Sequence, residues 1–517
     1  MWKILITLTL LTLTLTTTHG YNNGMGKTPA MGFNSWNHYA AAVNQTVMVS
    51  TAEALVSTGL AAKGYVYVGL DDGWAWNRTA NGTITAEPAT FPDGIAALAA
   101  RVHALGLRFG IYSSLGTKTC LGRPGTLGYE TQDADTYALW GVDLVKMDNC
   151  ANENISPEVR YPKMSKALNA TGRPMLFAMC EWGDDNPATW APAIAQQWRI
   201  SVDIKDFWVS VMHNADESNK WWKQAAPYGF NQADILEVGN GGLTRDENIA
   251  HFALWAIIKS PLLIGCSVVD MPQDILSLLG NQALIAWNQD PLGVQGHLVA
   301  SYADPDALSG TPLSSQDLAL KPCLADAPRG LFSTPRSEAQ AWIPGAPLGT
   351  GAAARATNTV FDRSTGFLVS SDRATCSALG PSGTSLVSFP CKESDQVSTS
   401  PFAVDPEFGS LFSVAQDGRR MCLSIKDDDL TFDLQVWAGP LDNGRFAVLL
   451  LNRGLIPRHI TAHWSDVGLK DGTPMTVVDV ITNISHGTSS SSFSALVSSH
   501  GVVALELSPP SASTAQV

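Results

Sequence analysis

The sequence is poor in several features that whole classes of protein need. Its 517 residues include only eight cysteines, and 33 Lys plus Arg stand against 47 Asp plus Glu, a net charge of −14. So few cysteines cannot serve as a disulfide scaffold for a chain this long, and an acidic surface repels nucleic-acid backbones. An H-E-x-x-H pair, a Cys/His cluster and a G-x-S-x-G elbow are all missing from the sequence. We therefore expect no nucleic-acid partner, no metal or other cofactor, and neither a metal hydrolase nor a Ser-His-Asp esterase.

Long apolar runs are also scarce. The one at the N-terminus extends from Ile4 to about Leu15 and is too short to span a bilayer. A Lys before it and small residues after it are typical of a secretory signal peptide, which we expect at residues 1–20. The sequence thus predicts a protein without a membrane span that is secreted or reaches a vacuole or lysosome. Export would make six Asn-x-Ser/Thr sites candidates for glycosylation, at Asn44, Asn77, Asn81, Asn154, Asn169 and Asn483.

From Tyr21 to about Gly296, short apolar runs alternate with stretches of helical periodicity. This rhythm predicts a parallel sheet with helices outside it, and eight such units in about 275 residues suit a (β/α)8 barrel. An open doubly wound sheet is the alternative, but no Gly-rich phosphate loop follows the first strand. The eight predicted strands lie around Met31–Trp36, Tyr65–Asp71, Arg108–Ser113, Leu144–Met147, Met175–Cys180, Gln197–Val202, Ile235–Val238 and Pro261–Cys266.

The pattern changes after the barrel. Residues 433–517 carry alternating apolar runs and the turn signal Asp442-Asn443-Gly444, which predict an antiparallel β-sandwich. The stretch before them is rich in Ser, Gly, Pro and Asp and holds four of the eight cysteines. We therefore expect four parts: the signal peptide, a barrel at 21–303, a β-rich insert at 304–432 and the sandwich.

Polar residues cluster where four of the predicted barrel strands end. They are Asp71-Asp72, Lys146 with Asp148, Glu181-Trp182, and Arg199 with Asp203. One acidic residue at a strand end is more often the N-cap of the next helix. Four such ends, with aromatic residues beside them, favour an active site, because the carboxyl ends of all barrel strands meet on one face.

Paired carboxylates beside tryptophan are what a glycosidase needs. Lys146 and Asp148 are two residues apart on one strand and so share a face, where the ammonium group would favour an ionised, nucleophilic carboxylate. Asp203 stands between apolar Val202 and Ile204, which predicts the raised pKa of an acid catalyst. His251, on an apolar helix face, is better interpreted as a packing residue.

With these motifs the chain resembles glycoside hydrolase family 27, the α-galactosidases or melibiases. The resemblance covers about residues 21–302 and resumes at about Leu434. It implies a (β/α)8 barrel followed by an antiparallel β domain, and an exo-acting enzyme that removes terminal α-linked galactose with retention. It rests on six segments: MGFNSWN at 31–37, LDDGW at 70–74, KMDNC at 146–150, CEWG at 180–183, WR at 198–199 with Asp203-Ile204, and LEVGNGG at 236–242.

The resemblance also implies roles for single residues. Asp148 falls on the nucleophile and Asp203 on the acid/base, with carboxyl groups expected ~5–5.5 Å apart. Cys120 and Cys150 fall on one family disulfide, while Ala41 and Gly73 stand where the family has a second one. The expected substrate-binding residues are Trp36, Asp71, Asp72, Tyr112, Lys146, Cys180, Glu181, Trp182, Arg199 and Asp234.

Several alternatives stay open at this point. Relatives that act on α-N-acetylgalactosamine replace the residues matching Glu181-Trp182 with small ones, and those that act on β-L-arabinopyranose change the pair matching Asp71-Asp72; both pairs are intact here. A catalytically silent carbohydrate-binding protein is a third alternative. The insert has a faint internal repeat and one Gln-x-Trp at Gln340-Ala341-Trp342, so a ricin-type β-trefoil that binds glycans competes with an unrelated β-rich elaboration.

Overall fold

The computed structural model describes residues 21–303, 433–454 and 457–510 and, between 304 and 432, only the backbone of short strands. The expected signal peptide at residues 1–20 lies outside the described residues. So do the side chains of the insert, including its four cysteines and Gln340-Ala341-Trp342. Among the described residues, no helix is long and apolar enough to cross a membrane.

The first domain is built on eight parallel strands that curl into a barrel. They follow the order β8-β1-β2-β3-β4-β5-β6-β7, and a bridge between Leu236 and Ile264 links β7 to β8 at the closure. The strands are almost wholly buried, as apolar runs covered on both faces should be. Their bounds are β1 Met31–Asn34, β2 Tyr67–Leu70, β3 Arg108–Ser114, β4 Leu144–Asp148, β5 Leu176–Cys180, β6 Gln197–Arg199, β7 Phe230–Gln232 and β8 Leu262–Ile264.

The seventh strand differs from the prediction. It was expected at Ile235–Val238, but the ladder with β6 runs through Phe230–Gln232. The cause is Asp234, whose backbone has a φ of +85° and turns the chain out of the extended conformation. Beyond this turn, Leu236 returns to the barrel only as the single bridge to Ile264.

Helices cover the outside of the barrel, and local capping chemistry fixes several of their ends. Asn44 caps α2 by accepting the N–H of Val47, and Thr244 with Glu247 forms a capping box on α7. The bounds are α1 Trp36–Tyr39, α2 Gln45–Ser57, α3 Gly94–Ala104, α4 Glu130–Trp140, α5 Pro157–Ala170, α6 Trp208–Lys220, α7 Arg245–Ile257, α8 Gln273–Leu279 and α9 Gln282–Asn288. A short hairpin, Ala75–Arg78 with Ile84–Ala86, follows β2.

The C-terminal domain is the expected antiparallel sandwich. One sheet has the order β9-β10-β11-β16-β13-β14, and β12 pairs with β15 opposite it. The predicted turn joins β10 to β11, with Asn443 at a φ of +61°. The strands are β9 His297–Ala303, β10 Asp433–Leu441, β11 Arg445–Asn452, β12 Arg458–His463, β13 Met475–Asp479, β14 Ile484–Ser489, β15 Ser492–Val497 and β16 Val502–Ser508; a short helix, α10, covers Trp464–Val467.

The barrel and the sandwich share one continuous hydrophobic core. Polar contacts between the two domains surround this core. Arg445 forms ion pairs with Asp290 at 3.3 Å and with Glu506 at 3.1 Å. The indole of Trp287 also donates to Glu506. The sandwich also contacts the N-terminal ends of α6 and α7, where His500 stacks on Trp208 and its Nδ1 lies 2.7 Å from Glu247, so the two domains are joined at several points.

The insert leaves and rejoins the chain at one point. Ala303, the last residue of β9, pairs directly with Asp433, the first residue of β10. Between them, the described backbone consists of ten short strands, which pair mostly antiparallel and, as far as they are described, with one another. They are Leu313–Ser314, Leu318–Pro322, Leu348–Gly349, Thr359–Asp362, Phe367–Ser370, Thr375–Leu379, Leu386–Pro390, Ala403–Val404, Leu411–Val414 and Arg420–Ile425.

Candidate active site

The predicted site residues share one feature: each stands at or near the carboxyl end of a barrel strand. The structure therefore brings them to one face of the barrel, where active sites of this architecture form. Trp36 follows β1, Asp71 and Asp72 follow β2, Tyr112 lies in β3, Lys146 and Asp148 lie in β4, Cys180 ends β5 with Glu181 and Trp182 after it, Arg199 ends β6 with Asp203 after it, and Asp234 follows β7.

Asp148 is held by three hydrogen-bond donors. Its Oδ2 accepts the hydroxyl of Tyr112 at 2.9 Å, and its Oδ1 accepts the indole N–H of Trp182 at 2.8 Å and the backbone N–H of Asn149 at 2.8 Å. Each of these donors favours the ionised carboxylate. The group is thus fixed in position and direction before any ligand arrives.

The charge state of Asp148 reflects opposing effects. Burial raises the pKa of Asp148 above its usual value, the positive charge of Lys146 opposes this shift, and the negative charge of Asp203 adds to it. Lys146 does not contact Asp148 as an ion pair. Its Nζ lies 2.8 Å from Oδ2 of Asp71, so its effect on Asp148 acts through space.

Asp71 and Asp72 are both buried at the end of β2, but they have different partners. Oδ2 of Asp71 accepts Nδ2 of Asn34 at 2.8 Å as well as the ammonium group of Lys146. Asp72 accepts backbone N–H groups from Gly73 at 2.8 Å and Leu121 at 2.9 Å. Burial raises the pKa of Asp72 to about 6, against the lowering effect of the Leu121 bond. Asn34 was not among the predicted residues, although its place at the end of β1 could have indicated it.

Asp203 has a different environment from Asp148. Its side chain is 54% exposed, and its Oδ1 lies 3.1 Å from the guanidinium of Arg199. Arg199 is buried and uses its other terminal nitrogen to pair with Asp234 at 3.0 Å. Oδ2 of Asp234 in turn accepts the backbone N–H of Ile204 at 2.9 Å, next to Asp203. One buried arginine therefore ties the loop after β6 to the end of β7.

The pKa of Asp203 was expected to be raised, but in the unliganded site it is lowered. Partial burial alone would raise the pKa of Asp203, but the positive charges of Arg199, Lys205 and Lys146 hold it below its usual value. Of the two apolar neighbours, Ile204 is buried and Val202 is 56% exposed. Val202 therefore does not shield the carboxylate from water, and the prediction from these neighbours was wrong about the free protein.

Two of the predicted site residues have strained backbones. Trp182 has a φ of +67° and Asp234 a φ of +85°, and bulky or β-carbon-bearing residues rarely adopt such values. Each is held by contacts that need the strained conformation: Trp182 donates to Asp148, and Asp234 accepts from Arg199 and Ile204. Strain of this kind concentrates at functional sites.

Glu181 differs from the rest of the predicted set. It has no exposed surface, and its Oε1 accepts the N–H of Gly183 at 3.1 Å inside its own turn. Burial raises the pKa of Glu181 to about 9, so the group is a neutral acid at pH 7. The structure gives Glu181 a part in the turn that carries Trp182, and its direct contact with a sugar stays a prediction.

The cysteines near the site form one bridge. Cys120 and Cys150 are joined as a disulfide across 30 residues, whereas Cys180 and Cys266 are free and buried. Cys120, Asp148 and Cys150 are the one group of three potential metal ligands in the described part of the chain, but disulfide sulfurs are not thiolates and bind metals poorly.

The positions of the missing bridge are also neighbours. A Cβ atom built on Gly73 would lie 3.7 Å from the Cα of Ala41. The two departures from the family pattern therefore occur side by side at one site.

Comparisons with known proteins agree with this geometry. The family sequence model described as "Alpha galactosidase A" matches residues 28–290, half of the chain, and the model described as "Alpha galactosidase C-terminal beta sandwich domain" matches residues 431–507. Alpha-galactosidase 2 of Arabidopsis thaliana is 47% identical over 319 residues, covering 61% of this chain and 80% of that protein. The alpha-galactosidase of Coffea arabica is 51% identical over 300 residues, covering 58% of this chain and 79% of that protein.

Solved structures give the same result at lower sequence identity. Alpha-galactosidase I from Mortierella vinacea superposes with a TM-score of 0.67 at 28% identity, covering 95% of this chain and 100% of that one. The β-L-arabinopyranosidase of Geobacillus stearothermophilus, at 18% identity and a TM-score of 0.61, shares the fold. The sequence matches, the two-domain architecture and the strand-end carboxylates together establish that the chain belongs to the α-galactosidase family of glycoside hydrolases, family 27.

Proposed function

We propose that the protein is a retaining exo-α-galactosidase in which Asp148 is the nucleophile and Asp203 the acid/base. The observation that carries the proposal is the pairing of two unlike carboxylates on one barrel face. Asp148 is buried and fixed by three donors, and Asp203 is about half exposed and paired with Arg199. A fixed nucleophile and an accessible proton carrier are what double displacement at a sugar requires.

In the first step, an oxygen of Asp148 attacks the anomeric carbon of the bound galactoside. The bond from that carbon to the leaving oxygen breaks, and Asp203 in its protonated form delivers a proton to this oxygen. Because the pKa of Asp203 is low in the free site, a bound sugar must raise it by displacing water around the carboxylate. Once the glycosyl ester has formed, the negative charge of Asp148 is gone, which lowers the pKa of Asp203 again and prepares it to act as a base in the second step.

In the second step, Asp203 takes a proton from a water molecule, whose oxygen attacks the anomeric carbon and releases Asp148. Two inversions give net retention. The low pKa of Asp203, held by Arg199, suits this step, because the carboxylate must be free to accept the proton.

Asp71 and Asp72 support galactose as the sugar. Both are buried at the end of β2, where they can accept hydrogen bonds from the C4 and C6 hydroxyl groups, and the axial C4 hydroxyl distinguishes galactose from glucose. An α-galactosidase from Saccharomyces cerevisiae that superposes with a TM-score of 0.67 at 25% identity, covering 94% of this chain and 99% of that one, was solved with raffinose. Terminal α-galactose on such an oligosaccharide is our proposed substrate.

The test is hydrolysis of an aryl α-galactoside by the purified protein, with the first-formed sugar followed by proton NMR. Our proposal expects release of the aryl alcohol and initial formation of the α anomer. Initial β-galactose would contradict retention. Binding without release would favour a silent carbohydrate-binding protein, and faster release from an α-N-acetylgalactosaminide or a β-L-arabinopyranoside would favour those related activities.

We also propose that residues 1–20 are a signal peptide and that the protein follows the secretory route. Of the six candidate glycosylation sites, five lie on exposed residues, and the partly buried Asn44 caps α2. The barrel was expected at 21–303, but its last residues, His297–Ala303, form β9 of the sandwich sheet. The proposed domains are therefore the barrel from residue 21 to about residue 296, a glycan-binding insert at 304–432, and a sandwich formed by β9 and residues 433–517. The direct pairing of Ala303 with Asp433 supports an insert that can be removed without moving its hosts.

A further inference from the structure

Glu237 is a buried acid on the same barrel face that the proposed mechanism does not use. It is 5% exposed and follows the bridge that links β7 to β8. Both of its carboxyl oxygens have partners: Oε1 accepts Nδ2 of Asn37 at 2.8 Å, and Oε2 accepts Nδ2 of Asn240 at 2.5 Å. The side chain therefore links the loop after β1 to the loop after β7.

The backbone of Glu237 is fixed from behind. Its N–H donates to Nε2 of His251 at 3.0 Å. His251 is fully buried in α7 and packs edge-on against Trp255, whose indole N–H donates to the carbonyl oxygen of Asp234 at 2.8 Å. His251 therefore packs in the core, as predicted, and also holds the backbone of Glu237, while Trp255 on the same helix holds that of Asp234.

The other end of the link lies next to Trp36. Asn37 follows Trp36 in α1, a helix of four residues that lacks a side-chain N-cap bond. A helix this short has little stability of its own. On its other side, the N–H of Trp36 donates to Oδ1 of Asn34, and Nδ2 of Asn34 donates to Asp71. Trp36 therefore lies between two anchors, one at Asp71 and one at Glu237.

We propose that Glu237 is a positioning residue that holds the indole of Trp36 against the bound galactose by fixing Asn37. The inference rests on the proposed function, since the sugar contact of Trp36 is part of it. Glu237 itself does not touch the reacting atoms. Loss of the link should therefore weaken binding of substrate and product alike while leaving the chemical step nearly unchanged.

The test is a double-mutant cycle of Glu237→Ala and Trp36→Ala, read as KM and kcat on an aryl α-galactoside and as the inhibition constant of free galactose. We expect Glu237→Ala to raise KM and the inhibition constant about 10-fold, with kcat within about 3-fold of the parent. In the Trp36→Ala background, Glu237→Ala should add less than about 2-fold. Independent, multiplying effects on KM would overturn the proposal, as would a loss confined to kcat.

Two further variants separate positioning from general damage. Glu237→Gln keeps the volume and one acceptor oxygen, and Asn240 can rotate its amide to meet the new donor, so it should recover most of the affinity. His38→Ala is the matched control, because His38 lies on the same helix and contacts Asn240 but not Glu237; its KM should stay within about 2-fold. A KM increase in His38→Ala as large as that in Glu237→Ala would contradict the assignment.

If Glu237→Ala does not fold, Asn37→Ala cuts the same link from the partly exposed side and leaves Glu237 bonded to Asn240. It should show the same rise in KM, and an unchanged KM would overturn the proposal. The parent protein separates this inference from the proposed function: a parent that does not hydrolyse the galactoside refutes the function, whereas an active parent with additive variants refutes only the role of Glu237.

Discussion

The two proposed catalytic carboxylates, at the end of β4 and in the loop after β6, differ in burial, in hydrogen bonding and in the direction of their pKa shifts. At β4, Asp148 is buried, receives three hydrogen bonds and has a raised pKa. In the loop after β6, Asp203 is half exposed and has a lowered pKa, because Arg199 and its other positive neighbours outweigh partial burial. The difference matches the demands of two roles: an attacking oxygen must be aimed, and a proton carrier must reach both leaving group and water.

In the unliganded site, the pKa of Asp148 is raised and that of Asp203 is lowered. The first step needs the opposite, because Asp148 must be ionised and Asp203 protonated. A sugar that fills the pocket must exclude water from Asp203 and so raise its pKa, while Asp148 keeps its donors. The contrast between a fixed and an adjustable carboxylate can therefore be tested by changing each in turn.

The largest effect is expected at the fixed carboxylate. Asp148→Asn keeps the volume and removes the nucleophilic charge, so kcat/KM on an aryl α-galactoside should fall at least ~10⁴-fold. Thermal unfolding of the same variant serves as the control and should be close to that of the parent, because a neutral amide replaces a buried charge. Loss of folding would make Asp148 a structural residue.

Asp203→Asn should cost less, about 10²–10⁴-fold, which is the usual contribution of general acid–base catalysis. The loss should depend on the substrate. A galactoside with an acidic aryl leaving group needs little protonation and should lose least in the first step, whereas one with an alkyl leaving group should lose most. Equal losses on both substrates would remove the acid role from Asp203.

Asp72 tests whether recognition of the sugar is separate from the two catalytic groups. Asp72→Ala should cost ~2–4 kcal/mol of transition-state binding, since a buried hydroxyl group would lose a charged partner. The ratio of kcat/KM for α-galactosides over α-glucosides is the measurement. An unchanged ratio would show that Asp72 does not distinguish the C4 hydroxyl group of galactose from that of glucose.

A smaller change loosens the fixed carboxylate without removing it. Trp182→Phe deletes one donor to Asp148, which destabilises its charged form and raises its pKa further. Because Asp148 must be ionised to attack, the acidic limb of the pH–activity profile should shift to higher pH than in the parent. Activity at the pH optimum should fall about 10-fold. Trp190→Phe is the matched control, because the indole of Trp190 donates to the carbonyl oxygen of Asp185 and not to Asp148. An acidic limb that does not move in Trp182→Phe would mean that this bond does not set the ionisation of Asp148.

The smallest effect is expected far from both carboxylates. Ala303 and Asp433 are paired neighbours, so a short Gly/Ser turn in place of residues 305–431 should leave hydrolysis of a small aryl galactoside within a few-fold of the parent. Binding to an immobilised galactose polymer should fall if the insert binds glycans. Collapse of activity on the small substrate would place the insert at the barrel mouth.

The sequence predicted the barrel because alternating strand and helix periods leave few architectures, and it located the site because strand ends converge. The position of the seventh strand and the direction of the Glu181 side chain were not predictable from the sequence, because both depend on tertiary contacts. The seventh strand ends early because Asp234 adopts a positive φ to meet Arg199 and Ile204. Glu181 points into its own turn although its neighbour Trp182 reaches Asp148, and adjacent residues in a strained turn have no fixed period.

The roles of single residues were harder to predict than their positions. Local sequence indicated a raised pKa for Asp203 from Val202 and Ile204, but the raising effect of burial is outweighed by the positive charges of Arg199, Lys205 and Lys146. The link from Glu237 to Asn37 joins residues 200 positions apart. Such contacts between loops of different strands become visible only when the barrel closes.

The most direct test of the account is to find where the glycosyl group is attached during turnover. A fluorinated galactosyl fluoride that forms its ester quickly and hydrolyses it slowly should inactivate the protein with one label per chain, and peptide mapping by mass spectrometry should find that label on Asp148. A label on Asp203 would reverse the two roles. Inhibition without any covalent label would contradict the proposed nucleophile and, with it, retention by double displacement.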